Sequence, residues 1–457
     1  MVIRRGLEIP FSMQSGESAV LQNSRENLIN MFVEAETSGR RRVIRRQRRA
    51  VDNYRDFVGV KRCIEKNGTT YYLVIGNKFY TMVGTAMTER GTLDTSVTRC
   101  TMVFDDNGEV AISDGTKLYH WDGTTFTRPT TESTVGHLTF LGGRAVYSEP
   151  GTGRFWWSGP NDMQSWDGLD FATAEGKPDV LVRVYENLKE LWLFGSETTE
   201  IWVLSGSVDS AFVPNTVMQR GCAAPLSVVS EDNSLIWLGD DLIVYRADGY
   251  RPMRISTHSV ERKIATLPRD AVKACEAFSY TDEGHKFVTL RFPGYLSLQC
   301  NLSTGLWNEA RTFGLDDWDL LGSQYSTCDL YLTIWGVAQL VRGLNTDNGD
   351  ILERVAISAP ITEGSRKVNL RKFFLDCEVG RAAVDQPDPM VMLRLAPDGE
   401  TFGNERARSL GKIGEFGRRA TWRNLGLGRK PAVMVSCTDD VDFSILGADV
   451  DGDLVNG

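Results

Sequence analysis

The chain has 457 residues, of which 41% are hydrophobic and 10% aromatic, enough to bury a substantial core. Its formal net charge of −9 argues against a general nucleic-acid-binding protein. Only four His and eight scattered Cys are present, with no Cys-x-x-Cys pair, which argues against a zinc site and suits free thiols in a reducing compartment. We therefore expect neither a metal nor a cofactor.

The N-terminal region is basic. Residues 1–62 hold 13 Lys or Arg against 7 Asp or Glu. They show no apolar core of a secretory signal, and no apolar run in the chain approaches the ~20 residues of a membrane span. Residues 27–34 read as one strand. We expect an N-terminal segment, 1–62, that forms part of a platform.

Seven Arg fall within ten positions of this segment. They are Arg40, Arg41, Arg42, Arg45, Arg46, Arg48 and Arg49. One interpretation is a solvated loop or a basic helix. The other is a set of contacts to DNA phosphate in a channel or to an acidic neighbouring subunit, because the guanidinium fork binds phosphate and carboxylate with two hydrogen bonds.

Seven predicted β-hairpins follow from residue 70. Each is an apolar strand-like run, a polar or Gly turn and a second run, which is the pattern of a tight hairpin. They cover residues 70–82, 109–121, 138–147, 190–206, 234–250, 285–299 and 329–341. Their starts are on average about 43 residues apart, the length of a four-stranded propeller blade. We predict an all-β fold with a propeller of six or seven irregular blades over 63–350; two non-repeating sandwiches are the alternative.

The pattern changes after residue 350. Longer strand-like runs at 355–360, 372–378, 390–395 and 432–436 predict a β-sandwich-like C-terminal domain over 351–457. The last 20 residues carry six Asp and no Lys or Arg. This acidic tail could meet the basic N-terminal segment or a different partner.

No catalytic motif is evident: the chain lacks a Gly-x-Ser-x-Gly elbow, a P-loop and a dinucleotide fingerprint. Carboxylates do cluster, at Asp162, Asp167 and Asp170 and at Asp316, Asp317 and Asp319. Carboxylate pairs serve propeller glycosidases, so a glycan hydrolase or lectin acting on a host surface is the alternative function. Asp is also a common turn residue, and we favour that interpretation and expect no enzyme.

Seven Trp lie in the strand-like runs. They are Trp121, Trp156, Trp157, Trp192, Trp202, Trp237 and Trp335. They could form a sugar-binding platform, but large flat side chains are also what packs between neighbouring blades. We predict that they belong to the core.

Several segments together resemble one family, the tail hub or nozzle proteins of short-tailed bacteriophages, also called packaged DNA stabilisation proteins. The resemblance is carried by residues 27–34, 155–166, 219–225, 236–246, 254–261 and, most specifically, 410–426. The Arg-rich residues 40–49 depart from it, because the family more often has a short loop with Pro and Gly there.

The resemblance implies a structural protein of the virion tail, a homohexamer below the portal adaptor (head-completion) protein. It would carry tail fibres or spikes, meet a needle or tip protein, and be assembled in the cytoplasm of the host bacterium. It also implies that packaged double-stranded DNA is retained above a closed tip and ejected through the hexamer's lumen without sequence-specific binding. An acidic body suits that role, because a negative wall repels phosphate and lets DNA slide.

Overall fold

The structure, a computed structural model, describes residues 4–8, 11–15, 27–35, 43–174, 176–177, 179–206, 210–325, 328–361, 366–382 and 386–455. Nearly all regular structure in these ranges is β. Five strands precede the first blade: β1 (Arg4–Glu8), β2 (Leu28–Ile29), β3 (Met31–Ala35), β4 (Val43–Gln47) and β5 (Ala50–Asp56).

The first three blades are antiparallel sheets of four strands, each strand beside the next in sequence. Blade 1 consists of β6 (Lys61–Asn67), β7 (Thr70–Ile75), β8 (Lys78–Val83) and β9 (Ala86–Thr92). Blade 2 consists of β10 (Thr101–Phe104), β11 (Val110–Ser113), β12 (Leu118–Trp121) and β13 (Phe126–Thr127). Blade 3 consists of β14 (Leu138–Leu141), β15 (Arg144–Ser148), β16 (Arg154–Trp157) and β17 (Phe171–Thr173).

The next three blades repeat this order. Blade 4 consists of β18 (Leu181–Asn187), β19 (Glu190–Gly195), β20 (Thr199–Leu204) and β21 (Phe212–Met218). Blade 5 consists of β22 (Val229–Glu231), β23 (Ser234–Leu238), β24 (Val244–Asp248) and β25 (Arg251–Arg254). Two short helices, α1 (His258–Ala265) and α2 (Arg269–Lys273), lead to blade 6. Blade 6 consists of β26 (Glu276–Asp282), β27 (His285–Phe292), β28 (Leu296–Asn301) and β29 (Leu306–Glu309).

Blade 7 closes the ring with a strand from the N-terminal segment. Its sheet order is β30 (Leu330–Thr333), β31 (Gly336–Val341) and then β5 on the outside. A bridge between Leu321 and Leu332 adds the inner edge. Each neighbouring pair of blades shares a buried apolar cluster, and the one between blades 7 and 1 contains Leu330, Leu332 and Leu73. The propeller therefore has seven blades and no open interface between them.

Each of the seven predicted hairpins lies in a different blade, so the propeller prediction is confirmed. Six of the hairpins supply the two middle strands of their blade. The third, residues 138–147, supplies the first two strands of blade 3 instead. This offset explains the irregular spacing of the predicted hairpins around it.

The remaining strands form a small hairpin and a β-sandwich. The hairpin is β32 (Thr346–Asp347) and β33 (Asp350–Ile351). The sandwich strands are β34 (Arg354–Ile357), β35 (Lys367–Cys377), β36 (Met390–Ala396), β37 (Arg406–Ser409), β38 (Ala420–Gly428), β39 (Ala432–Cys437) and β40 (Ser444–Val455). One sheet has the order β3-β4-β40-β35-β38, with β1 also paired to β40, and the other has β2-β34-β39-β36-β37. Buried side chains such as Phe373, Trp422 and Phe443 fill the space between the sheets.

The sandwich and the propeller share a sheet. Strand β2 pairs in parallel with β29 of blade 6 and antiparallel with β34, which gives one sheet of nine strands. The prediction of one continuous strand over 27–34 is wrong. Asn30 has a φ of 55° and divides this stretch into β2 and β3. That break lets β2 join one sheet of the sandwich and β3 the other.

The N-terminal segment therefore differs from the predicted unit 1–62. Its strands β1 to β4 belong to the sandwich, and β5 belongs to blade 7. The first strand of blade 1 begins at Lys61, close to the predicted start of the propeller at 63. The basic N-terminal segment and the acidic C-terminal strand do meet, since β4 and β1 both pair with β40.

The predicted core residues are buried. Six of the seven Trp are at most 7% exposed, and Trp335 is half-buried against the cluster between blades 6 and 7. All eight Cys are buried free thiols. No helix in the described ranges is long and apolar enough to cross a membrane.

Candidate functional site

Two of the predicted arginines, Arg45 and Arg48, lie inside the subunit. Residues 43–47 form strand β4, not the loop or helix that the sequence allowed. Arg45 is 6% exposed; it donates from Nε to Ser12 O at 3.0 Å and from Nη2 to Phe11 O at 2.7 Å. Arg48 is 1% exposed and pairs with Asp347. In this conformation neither side chain can reach DNA or a neighbouring subunit.

Arg46 and Arg49 are half-buried and also paired. Arg46 Nη1 lies 2.8 Å from both Glu34 and Glu283, and Arg49 Nε lies 2.8 Å from Asp282. Each side chain keeps 29% of its surface exposed, so each could make an additional contact. Arg40, Arg41 and Arg42 lie outside the described residues. An intermolecular role for this segment stays a prediction, which now concerns Arg46, Arg49 and those three.

The central channel of the propeller is filled by its own chain. Residues 322–325, which we name the axial plug, contact inner strands from opposite sides of the ring. Glu65 of blade 1 accepts hydrogen bonds from Gln324 N at 2.9 Å and Ser323 Oγ at 2.5 Å. Arg183 of blade 4 donates to Gln324 Oε1 at 3.1 Å and to Tyr325 Oη at 2.8 Å.

Further contacts fix the plug. The Tyr325 hydroxyl donates to Leu138 O of blade 3, and Gln324 Nε2 donates to Leu226 O at 3.2 Å, just before blade 5. The Tyr325 ring stacks on Tyr185 with 4.7 Å between centroids. Since Ser323, Gln324 and Tyr325 bond to four different parts of the ring, the propeller axis is closed by polar contacts and offers no passage for DNA.

The electrostatics of the plug depend on one fully buried cation, Arg183, which is 0% exposed. It donates from Nη1 to His137 Nδ1 at 3.1 Å, so that nitrogen of His137 is unprotonated. Enclosure of the imidazole and the adjacent guanidinium lower the pKa of His137 well below its usual range. Burial raises the pKa of Tyr185 well above its usual range.

A cavity of about 680 Å³ adjoins the plug. It is lined by polar groups of blades 5, 6 and 7, and its charged residues already have partners: Arg49 with Asp282, Glu231 and Asp232 with Lys286, and Asp329 with Lys66. The cavity therefore shows no charged group aimed at a ligand.

The carboxylates around residue 317 form a buried ion network. Arg291 donates to Asp317 at 2.7 Å and to Asp319 at 3.2 Å, and it lies 3.4 Å from Glu276. Lys61 also contacts Asp319; burial lowers the pKa of Lys61 to about 8, although that carboxylate acts in the opposite direction. The network joins blades 6 and 1 and the segment before blade 7, so these carboxylates hold the ring together.

The carboxylates near residue 162 are turn residues. Asp162 accepts from Gln164 N and Asp167 from Leu169 N, both at 2.9 Å. This is the local side-chain-to-backbone bond that makes Asp frequent in turns. Within the described part of the chain, no group of three or more His, Cys, Asp or Glu is placed to hold a metal ion.

Fold and site together define a scaffold protein: a closed seven-bladed propeller fused to a β-sandwich, in which Arg48, Arg183 and Arg291 are buried and bond within the subunit. Two family models match the chain, "Bacteriophage P22 Gp10, beta-propeller" over residues 9–307 and "Bacteriophage P22 Gp10, beta-sandwich" over 353–452. The chain therefore belongs to the P22 Gp10 family, the tail hub or nozzle family of podoviruses, and is a structural protein of the phage tail. The resemblance found in the sequence is confirmed.

Comparisons with individual proteins add nothing to the family assignment. No curated protein sequence matches the chain. Among solved structures, BBS1N in complex with ARL6DN is 11% identical with a TM-score of 0.42, covering 65% of this chain and 97% of that one. The N-terminal domain of Nup159 is 9% identical with a TM-score of 0.40, covering 67% and 97%. Because both TM-scores are below 0.5, these two structures support no conclusion about this chain.

Proposed function

We propose that the protein is the subunit of a homohexameric tail hub that lies below the portal adaptor. In this role it carries fibres or spikes, meets a needle or tip protein, retains packaged DNA and surrounds the ejection channel. It is made and assembled in the cytoplasm of the host bacterium. Membership of the P22 Gp10 family over both domains carries the proposal.

The closed propeller axis supports this arrangement. Because the axial plug fills the channel within each subunit, a DNA conduit has to run between subunits, as the lumen of a ring. A formal charge of −9 per chain gives such a ring an acidic body. An acidic wall favours passage of DNA over binding, because it repels the phosphate backbone.

Electron microscopy of the purified protein, alone and with the portal–adaptor ring, tests the proposal. We expect six copies around an axis that continues the adaptor's channel, with the propellers beside that axis. The adaptor ring alone serves as the control. A chain that stays monomeric in both samples contradicts the proposal, and binding or turnover of a polysaccharide by that monomer would favour the glycan-directed alternative.

A further inference from the structure

One edge of the sandwich is strongly basic on an acidic protein. Residues 406–430 hold eight Lys or Arg against one Glu, a formal charge of +7. They form β37, the loop 410–419 and β38, the last strands of the two sheets. Arg408 Nε donates to Thr421 O at 3.0 Å, and Trp422 Nε1 donates to Arg406 O at 2.6 Å, which holds the two strands together. We name this surface the basic edge.

Four arginines of the basic edge have no carboxylate within 4 Å among the described residues: Arg406, Arg408, Arg423 and Arg429. All four are exposed. Two further arginines have a carboxylate partner: Arg418 pairs with Glu415, and Arg419 pairs with Asp449. Half of the eight basic side chains are therefore available to a carboxylate of a partner.

Two large apolar side chains stand among these charges. Ile413 is 74% exposed and Phe416 is 70% exposed. Their loop is held in shape, because Gly414 N donates to Gly380 O and Lys412 N donates to the Glu415 side chain, each at 3.0 Å. A rigid loop that presents Ile and Phe to water, with Arg around them, has the composition of a protein-binding surface.

A surface of opposite charge lies on the rim of the propeller. Residues 105–170, which make up most of blades 2 and 3, hold ten Asp or Glu, of which Asp114 is buried, against four Lys or Arg, a formal charge of −6 for the whole stretch. The loop 159–170 has three Asp and no basic residue, and Glu132 lies next to it. This surface also presents apolar groups, since Leu169 is 85% and Phe171 is 36% exposed. We name it the acidic rim.

The two surfaces lie at opposite ends of the molecule. The sandwich is attached to blade 6 through β2. In a closed ring of seven blades, blades 2 and 3 are each three steps from blade 6 and so lie across the axis from it. Opposite placement prevents the two surfaces from meeting within one chain. It allows one copy to bind the next in a head-to-tail series.

We propose that the basic edge of one copy docks on the acidic rim of the next, with Ile413 and Phe416 packed near Leu169 and Phe171. The proposal rests on the homo-oligomeric hub and deepens it by assigning its interface. A contact between two different patches is heterologous, and it gives a closed ring when the rotation between subunits closes. Opposite charges orient the copies and speed their encounter, and the apolar groups exclude water.

Two other roles for the basic edge are protection of the sheet edge and binding of DNA. Each would explain only part of its composition. Charged residues protect edge strands from pairing with another sheet, but this function needs no excess of one sign and no exposed Ile and Phe. DNA phosphate would satisfy the arginines, but it would leave the two apolar side chains in water. A neighbouring acidic protein surface with its own apolar groups uses both features.

Charge reversal on each surface tests the proposal in solution. The basic-edge variant is Arg423→Glu/Arg429→Glu, and the acidic-rim variant is Glu132→Lys/Asp170→Lys. These acidic positions avoid the turn-forming Asp162 and Asp167. Under conditions in which the wild type forms rings, on its own or on the adaptor ring, we expect each variant alone to form none.

In an equimolar mixture of the two variants, the intact basic edge of one can bind the intact acidic rim of the other, so the mixture should form at least dimers although neither variant assembles alone. The matched control, Arg251→Glu/Arg269→Glu, changes two exposed arginines elsewhere and should assemble as the wild type does. Variants that form rings normally overturn this inference and leave the hexameric hub intact. A wild type that forms no ring, even on the adaptor, overturns both.

Disulfide trapping in assembled tails provides the second test. Particles carrying Phe416→Cys/Leu169→Cys should give a ladder of covalent multimers on oxidation, and each single variant should give none. A dimer from Phe416→Cys alone would show a contact between like surfaces and overturn the proposal. Absence of a ladder from tails that contain the double variant would also overturn it. If the basic-edge variant forms normal rings but heads lose DNA, the surface faces DNA instead.

Discussion

Arg48 and Asp347 form a two-point ion pair inside the protein, with 2.5 Å between Nη2 and Oδ2 and 3.0 Å between Nη1 and Oδ1. Both side chains are 1% exposed. Arg48 also donates to Asn30 Oδ1 at 2.8 Å, and Asp347 accepts from Val51 N at 2.9 Å. The pair therefore fastens the N-terminal segment to the hairpin that follows blade 7.

Replacing Arg48 by Gln should strongly destabilise the subunit. The substitution leaves the Asp347 carboxylate buried without its cation, which typically costs ~3–5 kcal/mol. Denaturant and thermal unfolding of purified protein measure the effect. The control is Arg381→Gln, since the Arg381 side chain is 55% exposed and exposed ion pairs contribute at most about 1 kcal/mol. Equal stability of the two variants would contradict a structural role for Arg48.

The half-buried arginines should behave differently. We expect Arg46→Gln/Arg49→Gln to lower subunit stability by no more than ~1–2 kcal/mol, since Asp282 keeps Arg342 as a partner. If the segment also contacts DNA or a neighbouring subunit, phage carrying this variant should assemble fewer tails or lose packaged DNA. Particle counts and the DNA content of heads measure this. Normal particles with full heads would confine both arginines to their contacts within the subunit.

The propeller could be predicted from sequence because its signal is local. Each hairpin is encoded by adjacent runs and a turn, such as the turn at Gly76 and Asn77 between β7 and β8. Trp192 and Trp237 lie on equivalent strands, the second of blade 4 and the second of blade 5. Burial of these side chains between blades follows from the same repeat.

The rest of the architecture depends on contacts between distant residues. Asn30 has no marked local signal, yet its amide donates to Arg311 O at 3.0 Å and Glu353 O at 2.8 Å, which fixes the point where the chain changes sheets. The partners of Arg45 and Arg48 could not be read from a run of seven arginines. The axial plug was missed for the same reason, because its partners lie in blades that only the closed ring brings together.

Gly336 should be essential for closing the ring. Its φ is 141°, and a Cβ there would lie 2.2 Å from Arg55 O and 2.6 Å from Phe57 N, at the junction of β31 and β5. Gly336→Ala should therefore displace β5 and lower stability by ~2 kcal/mol or more. Thermal unfolding and limited proteolysis after β5 report the effect. The control is Gly294→Ala, where φ is 75° and nothing lies within 4 Å, so only backbone strain of ~1 kcal/mol applies. Equal losses in the two variants would contradict a packing role.

The axial plug should weaken in mild acid because of His137. Its pKa is lowered well below 6.5 in the folded protein, whereas the unfolded chain has an ordinary His. The unfolded state therefore binds a proton that the folded state does not, below about pH 6.5. The contribution of neutral His137 to the free energy of unfolding is fully present above that pH. It is lost progressively as the pH decreases towards the folded-state pKa. The slope is at most about 1.4 kcal/mol per pH unit.

Unfolding curves of the wild type and His137→Gln between about pH 7.5 and 5.5, which spans the ordinary His pKa, test this prediction. Gln can still accept the hydrogen bond from Arg183 but does not titrate, so the variant should lose less stability on acidification than the wild type. Carboxylates titrate in both proteins, and the difference between the two curves isolates the imidazole. His258→Gln is the control, because the His258 side chain is 75% exposed and its contacts are with Arg254 and Glu261. If His137→Gln and the wild type lose stability in parallel, the plug does not respond to pH through this residue.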